Sequence, residues 1–278
     1  MSDLWAPLRA TTQARIGLGR AGNSLPTRPL LEFQAAHAAA RDAVHEPLDV
    51  DALTERLRDI GAGLGEPLRV CSRAASRAEY LRRPDLGRSP ADLSGLPNTE
   101  ADIGIVLADG LSPRALIDHA AGTVGALVRE FGGRYRIARP VIATQARVAL
   151  GDHIGQALGV TTVLVLIGER PGLSVADSLG IYLTHRPAPG LTDADRNCVS
   201  NIHPPDGLDY AAAAAVTAAL VAAARKLGRS GVVLKDTTRA AIGVARPANA
   251  PAGIDRSTAG PRPSSRPAAG TPAAPHAD

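Results

Sequence analysis

The chain has 278 residues, of which 45% are hydrophobic but only 3% aromatic, so its core must be built from Val, Leu, Ile and Ala. The formal net charge is +4, but the arginines are scattered among acids, whereas a nucleic-acid-binding protein needs a basic stripe with stacking aromatics. Two cysteines make no disulfide framework. The first residues lack the apolar region of a signal peptide. The longest apolar run, 211–224, falls short of the ~20 residues that span a bilayer. We therefore expect a soluble protein of a reducing compartment, with no nucleic-acid or membrane partner.

Residues 1–101 are rich in Arg and Ala and are predicted to form a helical region. Within RPLLEFQAAHAAARDAV, side chains recur at helix-like spacing at Leu30, Leu31, Phe33, Ala36 and His37. After the break GAGLGEP, the segment LRVCSRAASRAEYLRRPDLGR predicts a helix that ends before Pro84.

The stretch GLGRAG, 17–22, matches a dinucleotide-binding fingerprint in its letters only. That fingerprint requires a preceding strand and a following helix. Here TTQARI is a poor strand, and Asn23-Ser24-Leu25-Pro26 blocks a helix. An exposed loop that contacts a partner is the better interpretation.

From Asp102 the pattern changes to strands that alternate with helices. DIGIVLADG predicts a buried strand, and the helix after it has Ser112 as N-cap and Pro113 at its first position. YRIARPVIATQARVALG contains further strand-like material, and TTVLVLIGER and SLGIYLTHRP predict two more strands. YAAAAAVTAALVAAARKLG predicts a long helix that ends at Lys226 and Gly228.

Continuous apolar strands separated by helices are typical of a parallel sheet that is covered on both faces. The sequence therefore predicts an α/β fold with a mainly parallel sheet flanked by helices, in a domain spanning 102–245. The helical region 1–101 precedes it. The Pro- and Ala-rich segment 246–278 has almost nothing to bury, which predicts a disordered tail.

Two strand ends are candidate ligand contacts, because ligands of open α/β sheets bind beyond the carboxyl ends of the strands. These are Asp109-Gly110 and Gly168-Glu169-Arg170, where glycines would let a ligand approach the backbone. An ordinary strand-to-loop turn with a solvated ion pair is the alternative.

Two segments with metal-ligand or nucleophilic residue types predict no such chemistry. GDHIGQALG resembles the Asp-x-His-x-x-Gly motif that supplies a cobalt ligand in some cobalamin domains, but His153 directly follows Asp152, so the spacing fails. DADRNCVSNIHPPDG, 193–207, is predicted to be a polar loop that contacts a ligand. Its Cys198 and His203 could indicate a thiolate nucleophile or a zinc site, but zinc would need two more ligands. We expect no catalytic residue and no metal ligand in this chain.

Several segments in the same order resemble the small (light) subunit of ethanolamine ammonia-lyase. They are TTQARIGLGRAG, YLRRPDLGR, ADGLS, ARVALGDHIGQALG, IGERPGLSVADSL and DADRNCVSNIHPPDG. The resemblance extends to about Lys235 and leaves out the tail.

The resemblance implies a subunit of an adenosylcobalamin-dependent lyase that converts ethanolamine to acetaldehyde and ammonia by a radical mechanism. The large subunit, a TIM barrel, would bind ethanolamine, and the cofactor would lie base-on between the two chains. The family's cobalamin contacts fall on Val148, Glu169 and Cys198. The family also implies a hexamer of heterodimers in the cytoplasm, with or without a bacterial microcompartment, and region 1–101 would contact the large subunit.

Two other functions remain open at this stage. One is a stand-alone nucleotide-binding module that uses Asp109-Gly110 and Gly168-Glu169, although it would lack a phosphate loop. The other is a non-catalytic scaffold whose loops only form interfaces.

Overall fold

The structure is a computed structural model that describes residues 4–235. Its helices are α1 (Ala6–Arg9), α2 (Thr27–His45), α3 (Val50–Asp59), α4 (Arg77–Arg82), α5 (Pro113–Phe131), α6 (Leu150–Ala157) and α7 (Tyr210–Leu227). Its strands are β1 (Leu68–Cys71), β2 (Ile103–Ala108), β3 (Val141–Thr144), β4 (Thr162–Gly168), β5 (Leu179–His185) and β6 (Asn197–Ile202). The predicted disordered tail, 246–278, lies outside the described residues.

The strands form one mixed sheet in the order β1-β3-β2-β4-β5-β6. β1, β3, β2 and β4 are parallel neighbours, whereas β5 is antiparallel to β4 and β6 is antiparallel to β5. The α/β class is consistent with the prediction, but the expectation of a mainly parallel sheet is wrong. β5 is almost entirely buried on both faces, so its apolar run has the same pattern as a parallel strand.

Helices cover the two faces of the sheet unequally. Helices α3, α5 and α7 cover one face, which holds the larger hydrophobic cluster. On the other face α6 packs on β2 and β4, and segment 72–101 adds Leu93 and Leu96 beside it. The central strands β2 and β4 are buried along their whole length because both faces are covered there.

Helix α5 begins at the predicted signals. The Ser112 side chain accepts from the N–H of Ala115, and Pro113 occupies the first helical position, where its missing N–H costs nothing. The helix ends at Gly132, whose φ of 53° lies in the left-handed region. Helix α7 ends in the same manner at Gly228, as predicted.

Two glycines bring α6 close to the sheet. A Cβ at Gly151 would lie 2.2 Å from Val165 Cγ2, and one at Gly155 would lie 2.6 Å from Pro187 Cγ. Since residues four apart share one face of a helix, both glycines face the strands. The glycine spacing in GDHIGQALG therefore reflects close packing of a helix on β4.

The N-terminal region contains the predicted helices and one strand that the sequence analysis missed. α2 covers the predicted helical stretch, and α4 ends at Arg82, before Pro84. β1 precedes α4 and is an edge strand of the sheet. Ala43 alone among the residues of α2 is buried, so most of this long helix has no covering layer.

The segment 193–207, predicted to be a polar loop, contains the strand β6. The prediction of a loop is wrong, because β6 is an edge strand whose outward positions are polar. Val199 and Ile202 are buried, whereas Cys198, Ser200 and Asn201 are exposed.

Helix α7 has the length and the apolar composition of a membrane span. It packs here against α5, β5 and β6, with its buried face formed mainly by alanines together with Thr217, Leu220 and Val221. The helix therefore has the packing of a core helix, with small side chains that allow close contact.

Candidate cofactor-binding face

The face of the sheet opposite α7 is only partly covered at β5 and β6. Side chains alternate along a strand, so Gly180 and Tyr182 lie on the same side of β5. Tyr182 is paired with Cys198 of β6, is half-buried and packs against the cluster beneath α6. We call this surface, formed by Val148, Glu169, Gly180, Tyr182 and Cys198, the open face.

Glu169 leaves β4 with one carboxylate oxygen held by the chain. Oε2 accepts a hydrogen bond of 2.6 Å from the Ser178 hydroxyl and lies 3.4 Å from the N–H of Asn201. Oε1 lies over Gly180, where a Cβ would come within 2.8 Å of it. Among residues 4–235, no group donates a hydrogen bond to Oε1, so this oxygen remains an available acceptor at the open face.

The glycines at the strand ends serve backbone packing. Gly110 has a φ of 55°, and a Cβ there would lie 2.3 Å from the carbonyl oxygen of Gly168. A Cβ at Gly168 would lie 2.0 Å from the carbonyl oxygen of Ser112. These glycines let the ends of β2 and β4 contact each other, which explains why both positions need glycine, and contact with a ligand there stays a prediction.

Cys198 lies beside Tyr182 and Glu169, as a protonated thiol. The residue is exposed overall, but local burial raises the pKa of its thiol to about 11. The Tyr182 hydroxyl opposes this shift and the Glu169 carboxylate adds to it. Burial likewise raises the pKa of Tyr182 to about 12. The raised pKa argues against a thiolate nucleophile at neutral pH, because the thiolate is the reactive form.

Val148 belongs to the connection between β3 and α6. It is half-buried and packs against the same hydrophobic cluster as Tyr182. The connection is fixed by Asp109, whose carboxylate accepts from the N–H groups of Gln145 and Ala146, each at 2.8 Å. The contact lets Gln145 adopt a φ of 53°.

Asp109 is buried and takes no part in the open face. Arg77 contacts its Oδ2 at 3.3 Å and also donates to the carbonyl of Gly110. Burial raises the pKa of the Asp109 carboxyl, whereas the N–H of Ala146 and the Arg77 guanidinium oppose the shift. Since both carboxylate oxygens are used inside the protein, the structure argues against a nucleotide-binding site at Asp109-Gly110.

The structure thus brings Glu169 and Cys198 close together and places Val148 on the same side of the sheet. Ser178, Gly180 and Tyr182 complete this surface and were not predicted from the sequence. The tyrosine in the apolar run SLGIYLTH was the available signal, because a lone polar-tipped side chain in a buried strand often marks its accessible side. Within residues 4–235, no three His, Cys, Asp or Glu side chains are grouped as a metal would require.

The GLGRAG loop serves local packing. Its Gly17 has a φ of 58°, and a Cβ there would lie 2.1 Å from Trp5 Cγ. No strand precedes the loop within the described residues, and α2 begins only at Thr27. The geometry therefore differs from that of a dinucleotide-binding turn.

Comparison with known proteins gives one consistent family. The sequence profile of the family described as ethanolamine ammonia-lyase light chain (EutC) matches residues 2–235. The chain is 66% identical over 238 residues to the ethanolamine ammonia-lyase small subunit of Rhodococcus erythropolis, covering 86% of this chain and 92% of that protein. It is 50% identical over 235 residues to the small subunit of Rhodopseudomonas palustris (strain BisA53), covering 82% and 88%. The chain therefore belongs to the ethanolamine ammonia-lyase small-subunit family.

Proposed function

We propose that this chain is the small subunit of an adenosylcobalamin-dependent ethanolamine ammonia-lyase and that it holds cobalamin at the interface with the large subunit. The supporting observation is the free Glu169 Oε1, which lies over Gly180 beside the Tyr182–Cys198 pair. An acceptor surrounded by apolar and weakly polar side chains suits the edge of a large ligand that carries both amides and hydrocarbon.

The chemistry of the open face fits the periphery of a corrin ring. Corrin side chains end in amides, whose N–H groups need acceptors such as a carboxylate oxygen. Val148 and Tyr182 offer apolar surface for the methyl and methylene groups of the ring, and Cys198 offers a neutral thiol. In the proposed base-on form, the cofactor's own dimethylbenzimidazole stays on cobalt and no cobalt ligand comes from this chain.

The proposed reaction converts ethanolamine to acetaldehyde and ammonia. The bound cofactor would supply the radical chemistry through homolysis of its cobalt–carbon bond, while the protein supplies placement and exclusion of side reactions. In this chain, Glu169 would orient the ring through one amide, and Val148, Tyr182 and Cys198 would exclude water from its edge. We assign no proton transfer to any of these residues.

The large subunit is proposed to dock on an N-terminal apolar surface. This surface consists of exposed large side chains that a lone subunit leaves in water: Leu4, Trp5, Leu8, Leu25, Leu30, Leu31 and Phe33. Exposed large apolar side chains in such number are typical of protein interfaces.

The N-terminal apolar surface is connected to the loop that follows Glu169. Arg15 donates to the carbonyl of Leu173 at 2.7 Å, and the Ser174 hydroxyl donates to the carbonyl of Gln13 at 3.0 Å. A large subunit that docks there would therefore contact the segment adjacent to the open face, which supports a cofactor site between the two chains.

The test is cobalamin binding by the two chains separately and together. Cyanocobalamin and adenosylcobalamin are titrated into the purified small subunit, the large subunit and the co-expressed complex, and ethanolamine deamination is assayed in each. We expect tight binding and turnover only in the complex. Turnover by the small subunit alone, or a complex that binds no cobalamin, would contradict the proposal. Sedimentation of the complex tests the proposed hexamer of heterodimers.

A further inference from the structure

A buried ion pair joins the helix that follows Val148 to the strand that carries Cys198. Asp152 lies in the first turn of α6, and Arg196 directly precedes β6. Their side chains are only 2% and 1% exposed. Helix α6 packs on β2 and β4, whereas β6 is the edge strand beyond β5. The ion pair therefore joins two elements that are otherwise separate.

The Arg196 guanidinium is held by three acceptors. Its Nη2 contacts Asp152 Oδ2 and donates to the carbonyl of Leu191 at 3.1 Å, while Nη1 donates to Asp193 Oδ1 at 3.0 Å. A planar guanidinium bound at several nitrogens has little freedom to rotate or shift. The position of β6 relative to α6 is therefore closely fixed.

The pair is not fully satisfied by hydrogen bonds. Within residues 4–235, Arg196 Nε and Asp152 Oδ1 are buried and have no hydrogen-bond partner. Burial raises the pKa of the Asp152 carboxyl, and Arg196 opposes that shift. Such a pair contributes little net stability, since desolvation offsets its attraction, and apolar residues of similar volume often replace it without loss.

An ion pair that adds little stability can instead hold the two segments that it joins in a fixed relative position. Asp152 lies four residues after Val148, and Arg196 lies two residues before Cys198 on the same segment. Each end of the ion pair is thus close in the chain to a residue of the open face. The pair also lies on the α6 side of the sheet, where the open face is located.

We propose that Asp152 and Arg196 are positioning residues that set the spacing between Val148 and Cys198 and thereby the affinity for cobalamin. The inference rests on the proposed function of the open face. Neither side chain needs to touch the cofactor, because both are buried and engaged with the chain.

The main test removes both charges together. The double variant Asp152→Leu/Arg196→Met is co-expressed with the large subunit, and cyanocobalamin affinity is measured by absorbance titration. The matched control is Asp102→Leu/Arg225→Met, which removes an ion pair of 2.8 Å that involves the residue before the amino end of β2. We expect cyanocobalamin to bind the first variant at least about tenfold more weakly than it binds the wild type. In the control, the affinity should change by no more than about twofold.

Two further measurements separate positioning from loss of folding. The thermal midpoint of the complex should differ from wild type by only a few degrees, and turnover at saturating adenosylcobalamin should fall much less than affinity. If the double variant fails to assemble, Arg196→Lys serves in its place, because it keeps the charge and loses the planar fork. We expect it to assemble and to bind cyanocobalamin more weakly.

Unchanged affinity in a folded variant complex would overturn the inference while leaving the proposed function intact. A wild-type complex that binds no cyanocobalamin would overturn the proposed function itself. A variant with normal affinity and lost turnover would also contradict a positioning role.

Discussion

The Glu169 carboxylate has one oxygen held by Ser178 and one that lies free over Gly180. If Oε1 accepts a hydrogen bond from a corrin amide, Glu169→Ala leaves that donor unpaired in a mostly dry interface. We expect cobalamin binding by the complex to weaken by about 1–3 kcal/mol, or roughly five- to a hundred-fold. Absorbance titration with cyanocobalamin measures the change, and turnover at saturating cofactor should fall much less.

A carboxylate at the other end of the sheet provides the control for this variant. Glu66 is exposed and pairs with Arg58, so Glu66→Ala should leave cobalamin affinity unchanged. Normal affinity in Glu169→Ala would show that its side chain is not the acceptor and would leave only its backbone carbonyl as a possible contact.

Gly180 offers a second means of moving the same carboxylate. A Cβ at this position would meet Glu169 Oε1 at 2.8 Å, and the end of a glutamate side chain can shift aside without disturbing the strand. We expect Gly180→Ala to weaken cyanocobalamin binding several-fold while the subunit keeps its thermal midpoint within a few degrees. A large loss of stability would show that the backbone itself requires glycine there.

The raised pKa of Cys198 makes a prediction about its reactivity. With a pKa of about 11, the thiol is protonated at neutral pH, and the thiolate fraction rises about tenfold for each pH unit below that value. In a Cys71→Ala background, alkylation by iodoacetamide followed by mass spectrometry should therefore accelerate steadily from pH 7 to pH 9.5. A rate that levels off near neutral pH would indicate an activated thiolate and contradict the assignment.

Among the elements, α5 depends on a side chain that makes two connections. The buried Ser112 hydroxyl accepts at the N-terminus of α5 and donates to the carbonyl of Ala176 at 2.8 Å, in the loop after Glu169. We expect Ser112→Ala to lower the free energy of unfolding by about 1–2 kcal/mol, through loss of the cap and of that hydrogen bond. Urea unfolding of the subunit measures this.

The exposed turn at Asp92–Ser94 provides the comparison. Ser94→Ala removes a hydroxyl that donates to Asp92 at 2.8 Å on the surface, and it should change the free energy of unfolding by less than about 0.5 kcal/mol. Equal effects of the two substitutions would mean that the α5 cap adds nothing specific.

Elements with local signals were predictable from the sequence, and edge elements were not. β2, β4 and α5 carry long apolar runs or a Ser-Pro start, which depend only on neighbouring residues. β1 and β6 are edge strands: β1 has four residues with Val70 alone fully buried, and β6 presents polar side chains outward. Strand direction was not predictable either, because burial on both faces gives β5 the same composition as a parallel strand.

The open face was predictable only in part. The assignment of Val148, Glu169 and Cys198 as cobalamin contacts comes from the family resemblance and remains a prediction. Tyr182 is joined to Cys198 by strand pairing, and pairing partners cannot be read from one segment alone. The bridge from Asp152 to Arg196 connects residues far apart in the chain, so no local pattern indicates it.

At the scale of the whole molecule, the N-terminal apolar surface should govern assembly. Leu31 is 58% exposed, so Leu31→Glu should not disturb the subunit's own core. We expect association with the large subunit to weaken at least roughly tenfold, because a charge would be buried at the interface. Ala39→Glu adds the same charge to α2, in line with Glu32 and on the opposite side of the helix from Leu30, and should assemble normally. Size-exclusion chromatography of the co-expressed chains measures both.

If Leu31→Glu assembles as well as the wild type and its complex has normal turnover, the large subunit docks elsewhere. The same result would leave the exposed face of α2 without an assigned partner, since Ala43 alone is buried in that helix.

The order of the strands also determines when each part of the sheet can form during synthesis. β1 lies at the edge and pairs only with β3, and β2 and α5 lie between these two strands in the chain. Closing such a long loop costs more chain entropy than pairing β4, β5 and β6, which short connections join. The N-terminal third leaves the ribosome first, yet β1 has no partner in the sheet until Val141–Thr144 has followed it. During that interval the apolar side chains of the first residues are exposed on the nascent chain. Neither the completed sheet nor a large subunit is present to cover them.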